Sequence, residues 1–272
     1  MDTSPLFQRS ELLVGPAVME RLRRSRAILF GVGGVGSWCA EALIRSGLGH
    51  LTLVDSDCVC ITNVNRQLQA LPSNVGRYKV DELAGRLRTI NPEAEIVPIR
   101  EAYGLETRDG FGIETFDWVL DAIDSLSPKL GLIEHALAHG RTLFSSMGAS
   151  GKLDPTRVRV ANIWDSCACP LARRVRKRLR RHKVSAPYKV VFSEELVPNQ
   201  GAAPACGTPS CLCPRVALGP GGERGEAHEW CSQKAFINGS MAPAVIAFGV
   251  ALASLVIADA VAAEATGSDD HG

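Results

Sequence analysis

Three glycines and one aspartate form a pattern that is typical of a phosphate-binding turn. Gly31, Gly33 and Gly36 give the spacing G-x-G-x-x-G directly after the apolar run 27–30, and Asp55 follows a second apolar run. In a strand–turn–helix unit the first glycine allows a tight turn, the second lets the backbone approach a phosphate, and the third lets the helix pack closely. The helix N-terminus then offers N–H groups to the anion, and the aspartate meets a ribose hydroxyl. The pattern predicts a nucleotide site.

A polar cluster beyond the second strand favours ATP over a dinucleotide. The glycine spacing by itself most often indicates NAD or FAD. Asn63, Arg66 and Gln67 follow the second apolar run, however, and Lys79 opens the next helix. Guanidinium and ammonium groups offset the charge that develops on phosphates in ATP chemistry, whereas hydride transfer needs no such set. We therefore predict an ATP site, and an NAD oxidoreductase or a non-catalytic dinucleotide module is the rival.

Two aspartates follow a further apolar strand. Asp121 and Asp124 lie in the run WVLDAIDS, where a carboxylate could hold Mg²⁺ beside the phosphates of ATP. Each charged residue also has an ordinary explanation: Arg66 and Lys79 as solvent-exposed surface residues, and Asp124 as a turn or helix cap. Taken together, Arg66, Lys79 and Asp124 follow successive predicted strands along the chain, and this combination favours a reaction site.

The same motifs resemble a known family. GVGGVGSW, LVDSD, TNVNRQ, VGRYK, INPEA and DAID are similar to the ThiF-type adenylating enzymes that are related to ubiquitin-activating enzyme. Within that superfamily, the longer matches VCITNVNRQ and DAIDSLSPK resemble the tRNA threonylcarbamoyladenosine dehydratases. The resemblance covers residues 21–181 well and the last helix loosely.

The resemblance implies roles residue by residue. Glycines of the turn would line the ATP site and Asp55 would bind its ribose, while Arg66 would favour the departure of pyrophosphate. Asp124 would hold Mg²⁺, and Asp121 would orient its loop. The implied nucleotide contacts are Gly31, Gly33, Gly34, Asp55, Asn63, Arg66, Gln67, Lys79 and Asp121, and the implied catalytic residues are Arg66, Lys79 and Asp124.

The resemblance also implies a reaction, the ATP-dependent cyclisation of N6-threonylcarbamoyladenosine in tRNA. Transfer of AMP to the threonyl carboxylate would give a mixed anhydride, from which the carbamoyl oxygen would close an oxazolone ring and expel AMP. Ring closure within one molecule gains from proximity. The rival within the superfamily adenylates the C-terminus of a ubiquitin-like sulfur carrier. The paired C-x-x-C motifs of many such relatives are absent from this sequence, which counts against the rival.

The elements that position these residues alternate between strand and helix. Apolar runs predict further strands at 95–99, 118–120 and 142–144, and apolar residues at helical spacing predict helices over 80–90 and 130–137. We therefore predict one α/β domain over the 272 residues, with a Rossmann-like, doubly wound and mostly parallel sheet. Ligands of such sheets bind at the carboxyl ends of the strands.

A basic run is the densest local charge in a chain whose formal net charge is only +1. Residues 170–183 predict a helix that contains RRVRKRLRRHK. Such a run is as often a solvated helix face, but its density suits contacts with the phosphates of a folded RNA. The candidate RNA contacts are Arg173, Arg174, Arg176, Lys177, Arg178, Arg180 and Arg181.

The nine cysteines give weaker signals. Cys167, Cys169 and the three cysteines within 206–213 raise a minority prediction of structural zinc. Cys231 lies where some relatives carry a cysteine, so contact with a cysteine desulfurase or a sulfur acceptor stands beside the prediction of an inert thiol. The Pro- and Gly-rich segment 199–229 predicts a long loop near the substrate entrance.

Residues 240–263 predict an apolar helix that is about as long as a membrane span. A helix that is apolar on all sides can also be a core or interface helix, and we favour a buried interface helix over membrane attachment. The resemblance implies a homodimer. Residues 1–26 are polar and lack the apolar core of a secretory signal, so we expect a cytoplasmic protein.

Overall fold

One sheet organises the molecule, and a computed structural model describes it over residues 5–202 and 238–268. The strands follow the order β3-β2-β1-β4-β5-β7-β6, and every neighbouring pair is parallel except β6–β7. They are β1 (Arg26–Phe30), β2 (His50–Val54), β3 (Glu95–Ile99), β4 (Trp118–Asp121), β5 (Thr142–Ser146), β6 (Val158–Asn162) and β7 (Lys189–Ser193). The predicted mostly parallel α/β sheet is confirmed, and β6 and β7 extend it beyond the predicted strands.

Helices cover both faces of the sheet. Those described are α1 (Gln8–Val14), α2 (Pro16–Arg24), α3 (Gly34–Arg45), α4 (Lys79–Ile90), α5 (Leu126–Ala138), α6 (Pro170–Arg181) and α7 (Ala242–Ser268). Buried residues of α2, α3, α4 and α7 share one core, and those of α5 and α6 share the other. The doubly wound arrangement is therefore confirmed.

Alternate residues of the central strands face the two cores. Leu29 belongs to the core under α3 and α7, whereas its neighbours Ile28 and Phe30 belong to the core under α5. This alternation follows from the period of two along a strand. A strand that is buried on both faces needs apolar residues throughout, which explains the uninterrupted apolar runs in the sequence.

The C-terminal helix α7 is built into the first core. Its contacts run along α3 and reach α2, β5, β6 and β7. A Cβ on Gly249 would lie 2.6 Å from the carbonyl oxygen of Val35, so a small residue is needed where α7 meets α3. The indole Nε1 of Trp118 donates to Asp259 at 2.8 Å, which ties α7 to β4. Residues 242–265 are long and apolar enough to cross a membrane, but half of that window is buried inside the protein.

Candidate active site

The glycine-rich turn lies where the strand order reverses between β1 and β4, at the carboxyl ends of the strands. Gly31 has a φ of +86°, and a Cβ there would lie 2.9 Å from the carbonyl oxygen of Ala122 in the loop after β4. A Cβ on Gly36 would lie only 1.8 Å from the carbonyl oxygen of Gly31. The predicted turn and the predicted close packing of the helix are both confirmed. The approach of Gly33 to a phosphate stays a prediction.

The N-terminus of α3 opens into the same crevice. The helix begins at Gly34 with Gly33 as its N-cap, and no described side chain caps its first turn. The first N–H groups of a helix have no partner within the helix, and together with the helix dipole they favour an anion. The turn therefore offers backbone donors to a phosphate.

Asp55, at the end of β2, is held against the glycine turn. One carboxylate oxygen accepts the N–H of Val32 at 2.8 Å and the other accepts the N–H of Asp57, also at 2.8 Å. Burial raises the pKa of Asp55, although the nearby Lys79 acts in the opposite direction. Each carboxylate oxygen can accept a further hydrogen bond, so Asp55 can still receive one from a ribose hydroxyl.

Lys79 is buried among carboxylates. Its side chain is 7% exposed, and Nζ donates to Asp57 at 2.6 Å. Burial alone would lower the pKa of Lys79, but the charges of Asp55, Asp57 and Asp124 raise it above its usual value. The side chain therefore stays a cation at neutral pH. Asp57 was not among the predicted site residues, although it lies only two residues beyond Asp55.

Arg66 lies against the start of α3. Its Nη1 donates to the carbonyl oxygen of Thr62 and to Asn65 Oδ1, both at 2.9 Å. Its aliphatic stem comes within 3.5 Å of the place where a Cβ on Gly34 would stand. The indole of Trp38, within α3, donates to the carbonyl oxygen of Arg66 at 3.1 Å. These contacts hold the stem of Arg66 against the phosphate-binding turn, within reach of which its guanidinium group could swing.

Asn63 and Gln67 shape the same loop. Asn63 Oδ1 accepts the N–H of Cys60 at 3.0 Å, so its amide nitrogen is the atom that the predicted nucleotide contact would use. Gln67 is buried beside Gly33, and its Oε1 has no partner among the described residues. A buried acceptor without a partner costs about 1–3 kcal/mol. A donor such as a ribose hydroxyl or an adenine amino group would remove that cost, which suits a bound nucleotide.

A second glutamine, which was not predicted, holds the backbone of the glycine-rich turn. Gln69 is buried, and its Nε2 donates to the carbonyl oxygen of Val32 at 2.8 Å. It lies two residues after Gln67 in the run NRQLQ, and only the tertiary contact distinguishes the roles of the two glutamines.

The position of Asp121 contradicts its prediction as a nucleotide contact and fits the other predicted role, that of orienting its loop. Its side chain is fully buried, and Oδ2 accepts from Lys129 Nζ and Ser145 Oγ, each at 2.5 Å. Oδ1 accepts the N–H of Ile123 at 3.0 Å. The carboxylate is thus enclosed below the loop after β4, where it orients that loop and does not reach the crevice. Lys129 was missed as a partner, although it ends the motif DAIDSLSPK.

Asp124 stands on the loop that Asp121 holds. It is exposed, and Ser125, which follows it, is the N-cap of α5. Its charge contributes to the raised pKa of Lys79, so both residues act on the same crevice. The described residues contain no group of three or more His, Cys, Asp or Glu side chains that could enclose a metal. Mg²⁺ beside a nucleotide needs only one or two carboxylates and the phosphates, so Asp124 fits the predicted metal contact.

The basic helix α6 presents most of its predicted RNA contacts to solvent. Ala172, Val175 and Leu179 face the core. Arg176 is half-buried and donates to Ser166, so it is less available to a ligand than the others. The exposed candidates are Arg173, Arg174, Lys177, Arg178, Arg180 and Arg181.

The cysteines give no support to a zinc site within the described residues. Cys167 is exposed and Cys169 is buried, and no metal-binding group of side chains includes either. The cysteines within 206–213, Cys231 and most of the predicted loop 199–229 lie outside the described residues.

The turn, the aspartate after β2 and the cations beside them define a nucleotide-binding protein of the doubly wound α/β class. A family model described as the ThiF family matches residues 7–266, and the chain belongs to that family. The resemblance drawn from the motifs is thereby confirmed.

Curated relatives and solved structures narrow the comparison. The chain is 45% identical over 189 residues to the tRNA threonylcarbamoyladenosine dehydratase of Bacillus subtilis (strain 168). The aligned residues cover 70% of this chain and 74% of that protein. Crystal structures of E. coli tRNA N6-threonylcarbamoyladenosine dehydratase, TcdA, in complex with AMP and with ATP give TM-scores of 0.80 and 0.78. Both are 29% identical to this chain and cover 98% of it and 99% of the TcdA chain.

A sulfur-transfer relative matches less of the chain. The adenylyltransferase and sulfurtransferase uba4 of Aspergillus fumigatus (strain CBS 144.89 / FGSC A1163 / CEA10) is 34% identical over 126 residues. That match covers 46% of this chain and 25% of the relative.

Proposed function

We propose that this protein uses ATP to cyclise N6-threonylcarbamoyladenosine in tRNA to its oxazolone form. The observation that carries the proposal is the convergence of Arg66, Lys79 and Asp124 on the glycine turn that opens α3. The names of the B. subtilis relative and of the E. coli structures, together with the AMP and ATP bound in the latter, support the same substrate and nucleotide.

The first step joins the two substrates. A threonyl carboxylate oxygen attacks the α-phosphorus of ATP, and pyrophosphate leaves with the electron pair of the broken P–O bond. Arg66, Lys79 and the N–H groups at the start of α3 offset the negative charge that grows on the phosphates. Asp55 and Gln67 hold the nucleoside part, so that the α-phosphorus and the carboxylate meet in one orientation.

The second step releases AMP. The carbamoyl oxygen attacks the activated acyl carbon, and one carboxylate oxygen departs as part of AMP. One N–H proton is lost, so the tRNA loses the elements of one water molecule. The enzyme orients the two groups and excludes water from the anhydride, and no covalent bond to the protein is required. In the terms of reaction class, the protein acts as an ATP-dependent, ligase-like enzyme.

Mg²⁺ is part of the proposal, with Asp124 as its protein ligand beside the phosphates. When bound, the ion supplies charge neutralisation at the departing pyrophosphate. Asp124 is exposed and its charge acts on Lys79, so its carboxylate could share a metal ion with the phosphates.

A three-way incubation tests the function. Purified protein with ATP and Mg²⁺ would receive tRNA that carries threonylcarbamoyladenosine, the same tRNA without the modification, or a ubiquitin-like sulfur carrier. Only with the modified tRNA do we expect AMP and pyrophosphate in equal amounts. In that sample the mass of the modified nucleoside should fall by that of one water molecule. AMP formation that depends on the sulfur carrier alone would support the rival activity. Uptake of NADH without any affinity for ATP would reject both.

Assembly and location complete the proposal. We infer a homodimer from the resemblance, and α7 leaves the apolar side chains of Val250 and Val261 partly exposed for a partner surface. A monomeric mass in sedimentation velocity would contradict this inference.

We propose that the enzyme is cytoplasmic, with α7 in the core and not in a membrane. Fractionation of cells with the protein in the membrane pellet would argue for the opposite. The participation of a cysteine desulfurase or sulfur acceptor is an open proposal that pull-down with the full chain would test.

A further inference from the structure

A cleft at the far end of α6 lies away from the nucleotide crevice. Its volume is about 420 Å³, and Trp164, Arg180, Lys183, Val184 and Ser185 line it. Its lining residues 183–185 come shortly before β7 in the chain, and β7 runs parallel to β5. The cleft therefore lies toward the amino ends of the parallel strands, whereas the glycine turn lies at their carboxyl ends. The cleft is shallow and open to solvent.

The wall of the cleft is an oriented aromatic ring. Trp164 Nε1 donates to the carbonyl oxygen of Ser185 at 3.1 Å, which holds the indole in place. The guanidinium carbon of Arg180 lies 5.3 Å from the centre of the ring, in a cation–π arrangement. Aromatic rings and arginine planes together form the surfaces on which unpaired bases stack, and such stacking depends little on base identity.

Lys183 occupies a strained backbone conformation at the rim. It has a φ of +59°. Its N–H donates to the carbonyl oxygen of Arg180, and the N–H of Val184 donates to that of Leu179. This is the hydrogen-bond pattern of a helix end that usually carries glycine at the left-handed position. Glycine adopts this conformation without strain, whereas the lysine found here places an ammonium group at the rim of the cleft.

The cations at this end of α6 are available to an anion. Within the described residues, only His182 among them contacts a carboxylate, that of Glu134 at 2.5 Å. The exposed basic side chains of α6 continue from the cleft toward the start of the helix near Gly148. With 12 residues, the helix spans ~18 Å, so it can follow several phosphates of one strand.

We propose that this cleft binds one unpaired base of an RNA strand. The base stacks on the guanidinium plane of Arg180, which lies over the ring of Trp164, and Lys183 contacts the phosphate beside it. The proposal rests on the proposed function in one respect, because it takes RNA as the macromolecule that reaches the basic helix. It adds a second RNA contact, at the ends of the strands opposite those that form the reaction site. It predicts that the cleft recognises an unpaired nucleotide whatever its base.

Substitution of the aromatic ring tests the stacking. The affinity of the full chain would be measured by fluorescence anisotropy for a labelled stem-loop RNA and for a blunt RNA duplex of equal length. We expect Trp164→Leu to weaken binding of the stem-loop about tenfold or more, and Trp164→Phe to keep most of it. The duplex should bind both variants as it binds the wild type. Equal losses for stem-loop and duplex, or no loss for either, would overturn the proposal.

Substitution of Lys183 by glycine separates binding from folding. Lys183→Gly should leave the unfolding temperature unchanged or raise it, because the strain is removed, and should weaken binding of the stem-loop severalfold. Arg9→Gln, on α1 over the opposite face of the sheet, is the matched control for loss of one positive charge and should bind as the wild type does. Stem-loop affinity of Lys183→Gly equal to that of Arg9→Gln would refute the role of Lys183.

The outcomes for the cleft and for the proposed function are distinguishable. If the wild type cyclises modified tRNA while Trp164→Leu binds the stem-loop normally, the cleft is rejected and the function stands. If the wild type forms no cyclic product while Trp164→Leu still loses stem-loop binding, the function is rejected and the RNA-binding cleft stands.

Discussion

Lys79 shows how single residues set the chemistry of the crevice. A buried ammonium group is costly unless charges of opposite sign surround it. Asp55, Asp57 and Asp124 supply those charges, and they raise the pKa of Lys79 despite its burial. A bound polyphosphate would add negative charge to this group, so Mg²⁺ and Arg66 are the cations that balance the addition.

Arg66 is the residue whose loss should affect the chemistry most directly. Arg66→Ala should keep the fold, because the side chain is only partly buried, and should lower the rate of AMP transfer by ~10²-fold. The measurement is pyrophosphate release in single turnover, with unfolding followed by circular dichroism. Arg9→Ala, far from the crevice, should react at the wild-type rate. Near-normal turnover of Arg66→Ala would remove it from the reaction site.

Asp124 should report on the metal. Asp124→Asn keeps the size of the side chain and removes its charge, so the Mg²⁺ concentration for half-maximal activity should rise about tenfold or more. The measurement is the initial rate across a magnesium titration at saturating ATP. A variant with an unchanged magnesium requirement would show that Asp124 serves only the turn before α5.

The contrast between Asp121 and Asp124 shows what residue types alone leave undecided. Both stand at the end of one strand in the motif DAIDS, and both are carboxylates. Lys129 encloses Asp121 below the loop, whereas Asp124 reaches the surface of the crevice. The difference depends on Lys129, eight residues beyond Asp121, and the spacing alone does not show that folding brings its Nζ under the strand end.

At the scale of elements, the close docking of α3 on β1 makes the nucleotide turn. Gly36→Ala would place a Cβ 1.8 Å from the carbonyl oxygen of Gly31, which is backbone and cannot rotate away. We expect a loss of about 3 kcal/mol or more in the free energy of unfolding. Chemical denaturation measures this loss, and loss of ATP affinity should accompany it because the turn must move.

Gly85 in α4 is the matched control for that substitution. A Cβ there would meet nothing within 4 Å, and the residue is exposed within the helix. Gly85→Ala should therefore stabilise the protein by ~0.5–1 kcal/mol, since alanine loses less backbone entropy in a helix. Equal effects of the two substitutions would show that packing against Gly31 is not the cause.

Sequence patterns located most of the elements that surround the site. The apolar strands β1 to β5 were predicted, as were α3, α4 and α5. The edge strand β6 has several partly exposed residues, and the short α1 and α2 lie in a stretch that reads as polar; none of the three was predicted. The buried strand β7 inside the sheet was missed as well. Each of these elements depends on contacts with distant parts of the chain, such as Val18 and Leu22 of α2 against the first core.

At the scale of the whole molecule, the distribution of charge matters more than its sum. A net charge of +1 gives no general attraction for RNA, but α6 gathers its cations on one surface. The logarithm of the RNA affinity should therefore fall linearly with the logarithm of the salt concentration. Substitution of Arg174 or Arg178 by Gln should each reduce that slope by about 0.7–0.9. A slope that neither substitution changes would place the RNA elsewhere.

Sequence by itself determined the class of fold, the nucleotide turn and the family, because each depends on residues that are close along the chain. Gly31, Gly36 and Asp55 occupy one β-α-β unit, so their spacing already describes their geometry. Only the tertiary structure decided that Asp121 is enclosed by Lys129 and that α7 belongs to the core. It also brought Trp164 and Arg180 together at one cleft. Those relations depend on how the elements pack, so the order of the residues along the chain does not show which of them meet.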